Sequence, residues 1–128
     1  MMNIRKSRLL RILALAAAPL ALTACKGKTV SYSEDVKPIL DQYCLECHRE
    51  GGQGQVASGL SMENYASLMR GTRNGPMIIP GDSLGSNLVV LIEGRADPSI
   101  QMPHGRDRIP QAKIDTIKTW IDQGAKNN

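Results

Sequence analysis

The feature that most constrains this chain is the pentapeptide Cys44-Leu45-Glu46-Cys47-His48. Two thiols three residues apart, with a histidine behind the second, can bind zinc, act as a redox dithiol, or attach a haem through two thioether bonds. Each of these uses needs a different setting in the rest of the sequence, so the remaining residues decide among them.

Zinc and dithiol chemistry both lack the setting that they need. A structural zinc site has four ligands, commonly with a second Cys/His pair at a similar spacing. The one other histidine is His104 and the one other cysteine is Cys25, near the N-terminus, so no second pair is present. A thioredoxin-like dithiol would need a strand–helix–strand setting. The residues before Cys44 instead predict a helix, and no strand is indicated elsewhere.

Haem attachment fits the whole motif. Two thiols at this spacing can add to the two vinyl groups at one edge of a porphyrin, and the histidine that follows is directed beneath the iron as its proximal ligand. We therefore predict one c-type haem, attached through Cys44 and Cys47, with His48 on the iron.

The first 24 residues predict an export signal. A basic start is followed by an apolar run that is too short to span a membrane. The run ends in residues 22–25 (LTAC), which resemble the lipobox of bacterial lipoproteins. The resemblance implies a lipid on the Cys25 sulfur and cleavage before it, while an ordinary signal peptide is the alternative. The basic residues are Arg5, Lys6, Arg8 and Arg11.

This processing predicts three parts of the chain: a signal at 1–24, a short linker at 25–31 and one domain at 32–128. Lys26 stands where an aspartate would resemble an inner-membrane retention signal. The sequence therefore favours the outer membrane, with the domain facing either the periplasm or the cell exterior.

Removal of the signal changes the net charge. The whole chain has a net charge of +4 and a pI of 9.2. The signal holds four of the 16 basic residues and none of the 12 acidic ones, so residues 25–128 keep 12 of each sign. A near-neutral mature protein offers no basic surface for nucleic acid. The predicted partners are redox proteins of the envelope, and the membrane through the lipid.

A second axial ligand must come from the residues after the motif. Met62 and Met69 lie in a predicted helix and are interpreted as core. Met102 precedes Pro103, which favours an extended backbone, so its thioether can project from a loop. We favour Met102 for this reason, and the resulting Met–His pair would give the haem a relatively high potential. His104 is the rival, and Met77, in a loop rich in Gly and Pro, is a third candidate.

Four short helices are predicted around the haem. Pro38 is awkward inside the first helix, so its start is expected nearer Lys37. Ser61 is expected to cap the second and Gly71 to end it. The predicted ranges are about 33–43, 62–70, 86–93 and 110–123, and the glycine-rich segment at 51–54 is interpreted as a loop.

The predicted core is poor in large side chains. The chain has no Phe, one Trp and three Tyr. Trp120 lies on the apolar face of the last helix and is interpreted as core, with a direct haem contact compatible with that role. A haem would supply the missing apolar volume in a domain of this size.

Several short motifs occur in an order that resembles the planctomycete-type cytochrome c domain, a relative of class I cytochromes c. The resemblance covers about residues 32–125. The motifs are VKPIL at 36–40, CLECH at 44–48, PG at 80–81, SxL at 86–88, MP at 102–103 and WIxxGA at 120–125.

This resemblance implies an all-α, class I-like fold of about four short helices around one haem. It implies Cys44 and Cys47 as attachment sites, His48 as proximal ligand and Met102 as distal ligand. It also implies that a proline carbonyl, Pro80 or else Pro76, accepts the hydrogen bond of His48 Nδ1.

The function expected from the haem and the resemblance is one-electron transfer in the bacterial envelope, without catalysis. The alternative is a haem-based sensor in which Met102 yields to a small ligand such as CO or NO. A peroxidase would need an open distal site beside an acid–base residue, for which His104 is the candidate. Such domains often lie inside larger proteins, whereas here one is expected to stand alone on a lipid.

Overall fold

The computed structural model describes residues 27–128. Within that range the chain forms six α-helices and no strand, which confirms the predicted all-α class with two helices more than expected. No helix in this range is long and apolar enough to cross a membrane. The elements are a π-helical turn (Tyr32–Val36), α1 (Lys37–Tyr43), α2 (Leu45–His48), α3 (Gln53–Ser58), α4 (Tyr65–Arg70), α5 (Asn87–Ile92), a 3₁₀ turn (Pro98–Ile100) and α6 (Gln111–Asp122).

The π-helical turn and α1 are continuous, and this stretch, which we call the α1 segment (residues 32–43), runs in the opposite direction to α6. At one end, the Tyr32 and Trp120 ring centroids are 5.6 Å apart. At the other end, the Lys113 ammonium lies 6.0 Å from the centre of the Tyr43 ring. The start of the α1 segment therefore lies beside the end of α6, and the end of α1 beside the start of α6.

One end of this pair is packed with aromatic rings. Tyr65 stands edge-on to Tyr32 and to Trp120, with centroid distances of 5.3 and 6.4 Å. Trp120 is 1% exposed, and its Nε1 donates to the Lys126 carbonyl at 2.9 Å. The prediction of Trp120 as core is confirmed. We call Tyr32, Tyr65 and Trp120 the aromatic end.

The first described residues are fastened to the aromatic end. The Val30 amide donates to Gln123 Oε1 at 2.8 Å, and Gln123 Nε2 donates to the Lys28 carbonyl at 3.1 Å. The Ser33 amide donates to the Asn128 carbonyl at 3.0 Å. The backbone is therefore held against the end of α6 from Lys28 onward.

The helix boundaries confirm part of the prediction. α1 begins at Lys37, with Pro38 in its first turn, where a missing amide proton costs nothing. α5 follows Ser86 and is closed by Gly94 at φ +70°. Gly71 ends α4 as predicted.

The start of α4 differs from the prediction. The cap is Asn64 rather than Ser61: the Asn64 side chain accepts from the Ser67 amide at 3.0 Å, and the Ser67 hydroxyl accepts from the Asn64 amide at 3.3 Å. This reciprocal pair forms a capping box and starts the helix at Tyr65. Met62 consequently lies in the chain before α4.

Candidate functional site

The CLECH motif forms a single helical turn. Cys44 ends α1 and precedes α2, and its carbonyl accepts from the amides of Cys47 and His48 at 3.2 and 2.9 Å. Residues three and four positions apart lie on the same face of a helix. Both thiols and the imidazole consequently border one cavity.

This cavity has a volume of about 780 Å³, within the range of about 300 to 1,000 Å³ that is usual for ligand sites. Tyr43 and Ile109 line it, so it lies at the end of α1 and the start of α6, opposite the aromatic end. We call this region the cavity end. Other lining residues include Cys44, Cys47, His48, Gly54, Leu60, Met62, Met77, Leu88, Leu91, Ile92, Ile100, Met102, His104 and Arg106.

The His48 imidazole is held in one orientation. It is 7% exposed, and Nδ1 lies 3.2 Å from the Leu60 carbonyl oxygen. Because a carbonyl can only accept, Nδ1 carries the proton and donates. Nε2 is then left with its lone pair, the form that a metal-ligating histidine uses.

The prediction that the Pro80 carbonyl accepts the hydrogen bond of His48 Nδ1 is wrong. Pro80 is exposed and does not line the cavity, and the alternative, Pro76, lines the cavity but does not receive this hydrogen bond. The reason is α3, a helix that was not predicted from the sequence; only its first two residues fell in the segment at 51–54 that was interpreted as a loop. α3 ends at Gly59 with φ +83°, and the chain then turns so that the Leu60 carbonyl faces the imidazole.

The two thiols lie in different surroundings. Burial raises the pKa of the Cys44 thiol to about 12, with smaller contributions from the negative charges of Cys47 and Asp41. Cys47 is exposed, and no disulfide joins it to Cys44. Within residues 27–128, no group of three or more His, Cys, Asp or Glu side chains is placed to hold a metal ion by itself.

The loop after α5 brings Met102 to the cavity. Met102 is half-buried, and its amide donates to the Leu91 carbonyl at 3.3 Å, which ties the loop to α5. His104 is exposed and borders the same cavity. Both predicted candidates for the distal position thus lie at one site.

Two more methionines line the cavity. Met77, the third candidate, is 9% exposed. Met62 is 3% exposed, and its amide donates to the His48 carbonyl at 2.7 Å. Met62 was predicted to lie in a helix and pack in the core; the Asn64/Ser67 capping pair is the sequence signal that would have placed it before the helix. Met69 does not line the cavity.

Arg106 was not identified from the sequence. It lines the cavity, and its guanidinium pairs with the Glu46 carboxylate inside the CLECH motif. This contact joins the loop that carries Met102, which we call the Met102 loop, to the CLECH turn across the cavity. Surface ion pairs of this kind contribute about 0.2 to 1 kcal/mol.

The donor set fits a c-type haem. Two thiols and a histidine with a free Nε2 lie on one side of the cavity, most of whose remaining lining is apolar, and thioether sulfurs are also present. Imidazole and thioether are the axial ligands of c-type cytochromes. Cys44, Cys47 and His48 would hold the group, with Met102 as the favoured second ligand.

Residues 44–104 match the planctomycete cytochrome C family. The match begins at the first cysteine of CLECH and reaches His104, so it covers both the CLECH turn and Met102. The resemblance inferred from the sequence is thereby confirmed. No curated protein and no solved structure matches the chain significantly.

A planctomycete cytochrome C domain implies covalently bound haem, and electron transfer rather than catalysis. The arrangement of the cavity end agrees with that implication, because both thiols and the histidine of CLECH lie within one helical turn.

Proposed function

We propose that the protein is a one-electron carrier of the bacterial envelope, tethered to a membrane by a lipid on Cys25. The observation that carries the proposal is the convergence of Cys44, Cys47, His48 and Met102 on one largely apolar cavity. The match to the planctomycete cytochrome C family supports the haem on which the proposal depends.

The donors of CLECH each have a definable task. Cys44 and Cys47 would hold the haem covalently, and His48 would present Nε2 to it while the Leu60 carbonyl accepts the hydrogen bond from Nδ1. That hydrogen bond raises the basicity of the imidazole. A haem bound in this way supplies an iron that accepts and releases one electron.

Buried apolar side chains form part of the remaining lining. Leu88, Ile92 and Ile109 are each at most 4% exposed and border the cavity. An apolar surround lowers the local dielectric constant, which is one of the means by which proteins set a redox potential.

The position of the first described residues supports a fixed orientation on the membrane. Cys25 itself lies outside the described residues, but the chain is hydrogen-bonded to the end of α6 from Lys28 onward. Lys28 is three positions after Cys25, so the free tether would reach at most about 10 Å.

The cavity would then point away from the membrane. The tether leaves at the aromatic end, whereas the cavity lies at the start of α6, and the 12 residues of α6 span about 18 Å. This geometry favours exchange with partners that approach from the aqueous side. The outer membrane remains our proposed location, on the basis of Lys26.

The test is an absorption spectrum of residues 26–128, matured in a host that attaches c-type haem. Spectra would be recorded oxidised, reduced, and reduced under CO, for the wild type and for Met102→Ala. Met69→Ala is the matched control, because Met69 is half-buried and does not line the cavity. His104→Ala tests the rival ligand.

The carrier proposal expects a low-spin c-type spectrum with the weak far-red methionine–iron band. That band should vanish in Met102→Ala and persist in Met69→Ala and His104→Ala, and the wild type should not bind CO. If His104 is the distal ligand, the wild type should lack this band, and its low-spin spectrum should change in His104→Ala and stay the same in Met102→Ala.

A sensor is the second candidate function. Residues 104–108, which follow Met102, are all exposed, so a small ligand could reach the distal side of the cavity from solvent. Rapid CO binding by the reduced wild type would support the sensor. Absence of covalent haem would refute both functions. For the tether, Cys25→Ser should move the full-length protein from the membrane fraction to the soluble fraction.

A further inference from the structure

Helix α3 contains a glycine that its own backbone does not require. Gly54 is the second residue of α3 (Gln53–Ser58), and its φ is not positive, unlike that of Gly59 at the end of the helix. Glycine has a lower helix propensity than alanine. A residue that is locally unfavourable needs a reason elsewhere in the fold.

The reason lies in the approach of α3 to the His48 ring. A Cβ added at Gly54 would lie 2.7 Å from Cε1, 2.8 Å from Nε2 and 3.0 Å from Nδ1 of His48. These separations are well inside the van der Waals contact distance of about 3.5 Å or more. The α3 backbone therefore lies directly against the imidazole, and only a hydrogen at position 54 leaves room for it.

The ring cannot readily move away from such a side chain. It is 7% exposed, and Nδ1 donates to the Leu60 carbonyl at 3.2 Å. A shift of the ring would lengthen that hydrogen bond and change the direction of Nε2.

Helix α3 is also fixed in place. The Arg73 amide donates to the Ser58 carbonyl at 2.9 Å, and the Arg73 guanidinium donates to the Ala57 carbonyl at 2.6 Å. The Ser58 hydroxyl donates to the Gly54 carbonyl at 2.6 Å. Because the end of α3 is held by these bonds, strain from a side chain at position 54 falls on the imidazole.

We propose that Gly54 is a positioning residue: the α3 backbone at this point sets the orientation of the His48 ring and thereby the direction of Nε2. The inference rests on the proposed function in one respect, since it takes His48 as the iron ligand.

The experiment compares the haem-loaded wild type with Gly54→Ala and Gly54→Val. Val56→Ala is the matched control, because Val56 lies on the same helix, is 62% exposed and also gains helix propensity on mutation to alanine. The readouts are haem stoichiometry by intact mass, the ferric absorption and EPR spectra, and the midpoint potential.

We expect full covalent loading in all variants, because both cysteines are unchanged. Gly54→Ala should acquire a high-spin ferric fraction and an upward shift in midpoint potential, since weaker donation from Nδ1 to Leu60 makes the imidazole less basic. Gly54→Val should show both effects more strongly, and Val56→Ala should match the wild type.

A loaded Gly54→Ala protein with the spectrum and potential of the wild type would overturn the inference. A wild type without covalent haem would instead refute the proposed function. The positioning role would then be decided by NMR of the haem-free protein. The His48 ring proton shifts must change in Gly54→Ala and not in Val56→Ala, and an unchanged pattern would overturn the inference there as well.

Discussion

The two ends of the α1–α6 pair are built differently. At the aromatic end, three rings pack with centroids 5.3 to 6.4 Å apart and are joined to both ends of the described chain. At the cavity end, the functional side chains come from a one-turn helix and from a loop whose residues 104–108 are exposed. The comparison suggests that stability and ligand chemistry are assigned to separate regions.

The largest expected effect is at the aromatic end. Trp120→Ala removes a side chain that is 1% exposed, and we expect the free energy of unfolding to fall by about 3 to 5 kcal/mol. The measurement is guanidinium denaturation of the haem-loaded protein, followed by far-UV circular dichroism. The absorption spectrum of the folded variant should stay that of the wild type.

Met102→Ala is the counterpart at the cavity end. Because Met102 is only half-buried, its loss should cost less stability than the loss of Trp120, while the spectrum changes. If Trp120→Ala altered the spectrum as strongly as Met102→Ala, the two ends would not be separate in function.

A smaller effect concerns Tyr32. Its hydroxyl is buried without a hydrogen-bond partner among residues 27–128, and burial, followed by the charge of Asp41, raises the pKa of Tyr32 to about 12. The contribution of Tyr32 to the free energy of unfolding is therefore fully present below pH 10 and is lost as the pH rises from 10 towards 12.

Tyr32→Phe should abolish that alkaline loss. It should also leave stability at pH 7 unchanged or raise it by up to about 1 kcal/mol, since no hydrogen bond is lost. Tyr65→Phe is the control: its hydroxyl donates to the Ala125 carbonyl at 2.8 Å, and removing it should cost about 1 kcal/mol. A loss in Tyr32→Phe equal to that in Tyr65→Phe would contradict the assignment.

The smallest effect is expected at Glu93, at the end of α5. The Lys118 ammonium at 2.6 Å, assisted by Arg95 at 2.7 Å, holds the pKa of the Glu93 carboxyl below its ordinary value of 4.5. Its contribution is present above pH 4.5 and is lost as the pH falls through the lowered pKa.

Glu93→Gln should therefore reduce stability at pH 7 by about 0.2 to 1 kcal/mol and by progressively less as the pH is lowered. Thermal unfolding at pH 7, 4 and 3 measures the difference. Glu50→Gln is the control, since Glu50 is exposed and forms no ion pair among residues 27–128. A pH-independent effect at Glu93 would rule out the ion pairs as its cause.

Much of the site could be predicted because its chemistry is local. CLECH is contiguous, so Cys44, Cys47 and His48 reach one cavity as soon as a single helical turn forms. Met102 could be chosen because the proline after it denies it a helix. The apolar helices α5 and α6 were also located from the spacing of their apolar residues.

The parts that could not be predicted depend on contacts between distant segments. α3 has the sequence QGQVAS, which has weak helix propensity, and it is held by Arg73 from a later loop. Without α3, the position of the Leu60 carbonyl could not be foreseen, and Pro80 was chosen instead. The contact of Arg106 with Glu46 likewise joins residues 60 positions apart.

Trp120 is the one tryptophan in the chain, and Tyr32 and Tyr65 lie beside it. Excitation energy absorbed by these two tyrosines is transferred readily to the indole. A haem at the other end of α6 would then quench the indole fluorescence by energy transfer. The fluorescence of Trp120 would therefore report on both haem loading and folding. It should be quenched in the loaded, folded protein and strong when the haem is missing or the helices separate.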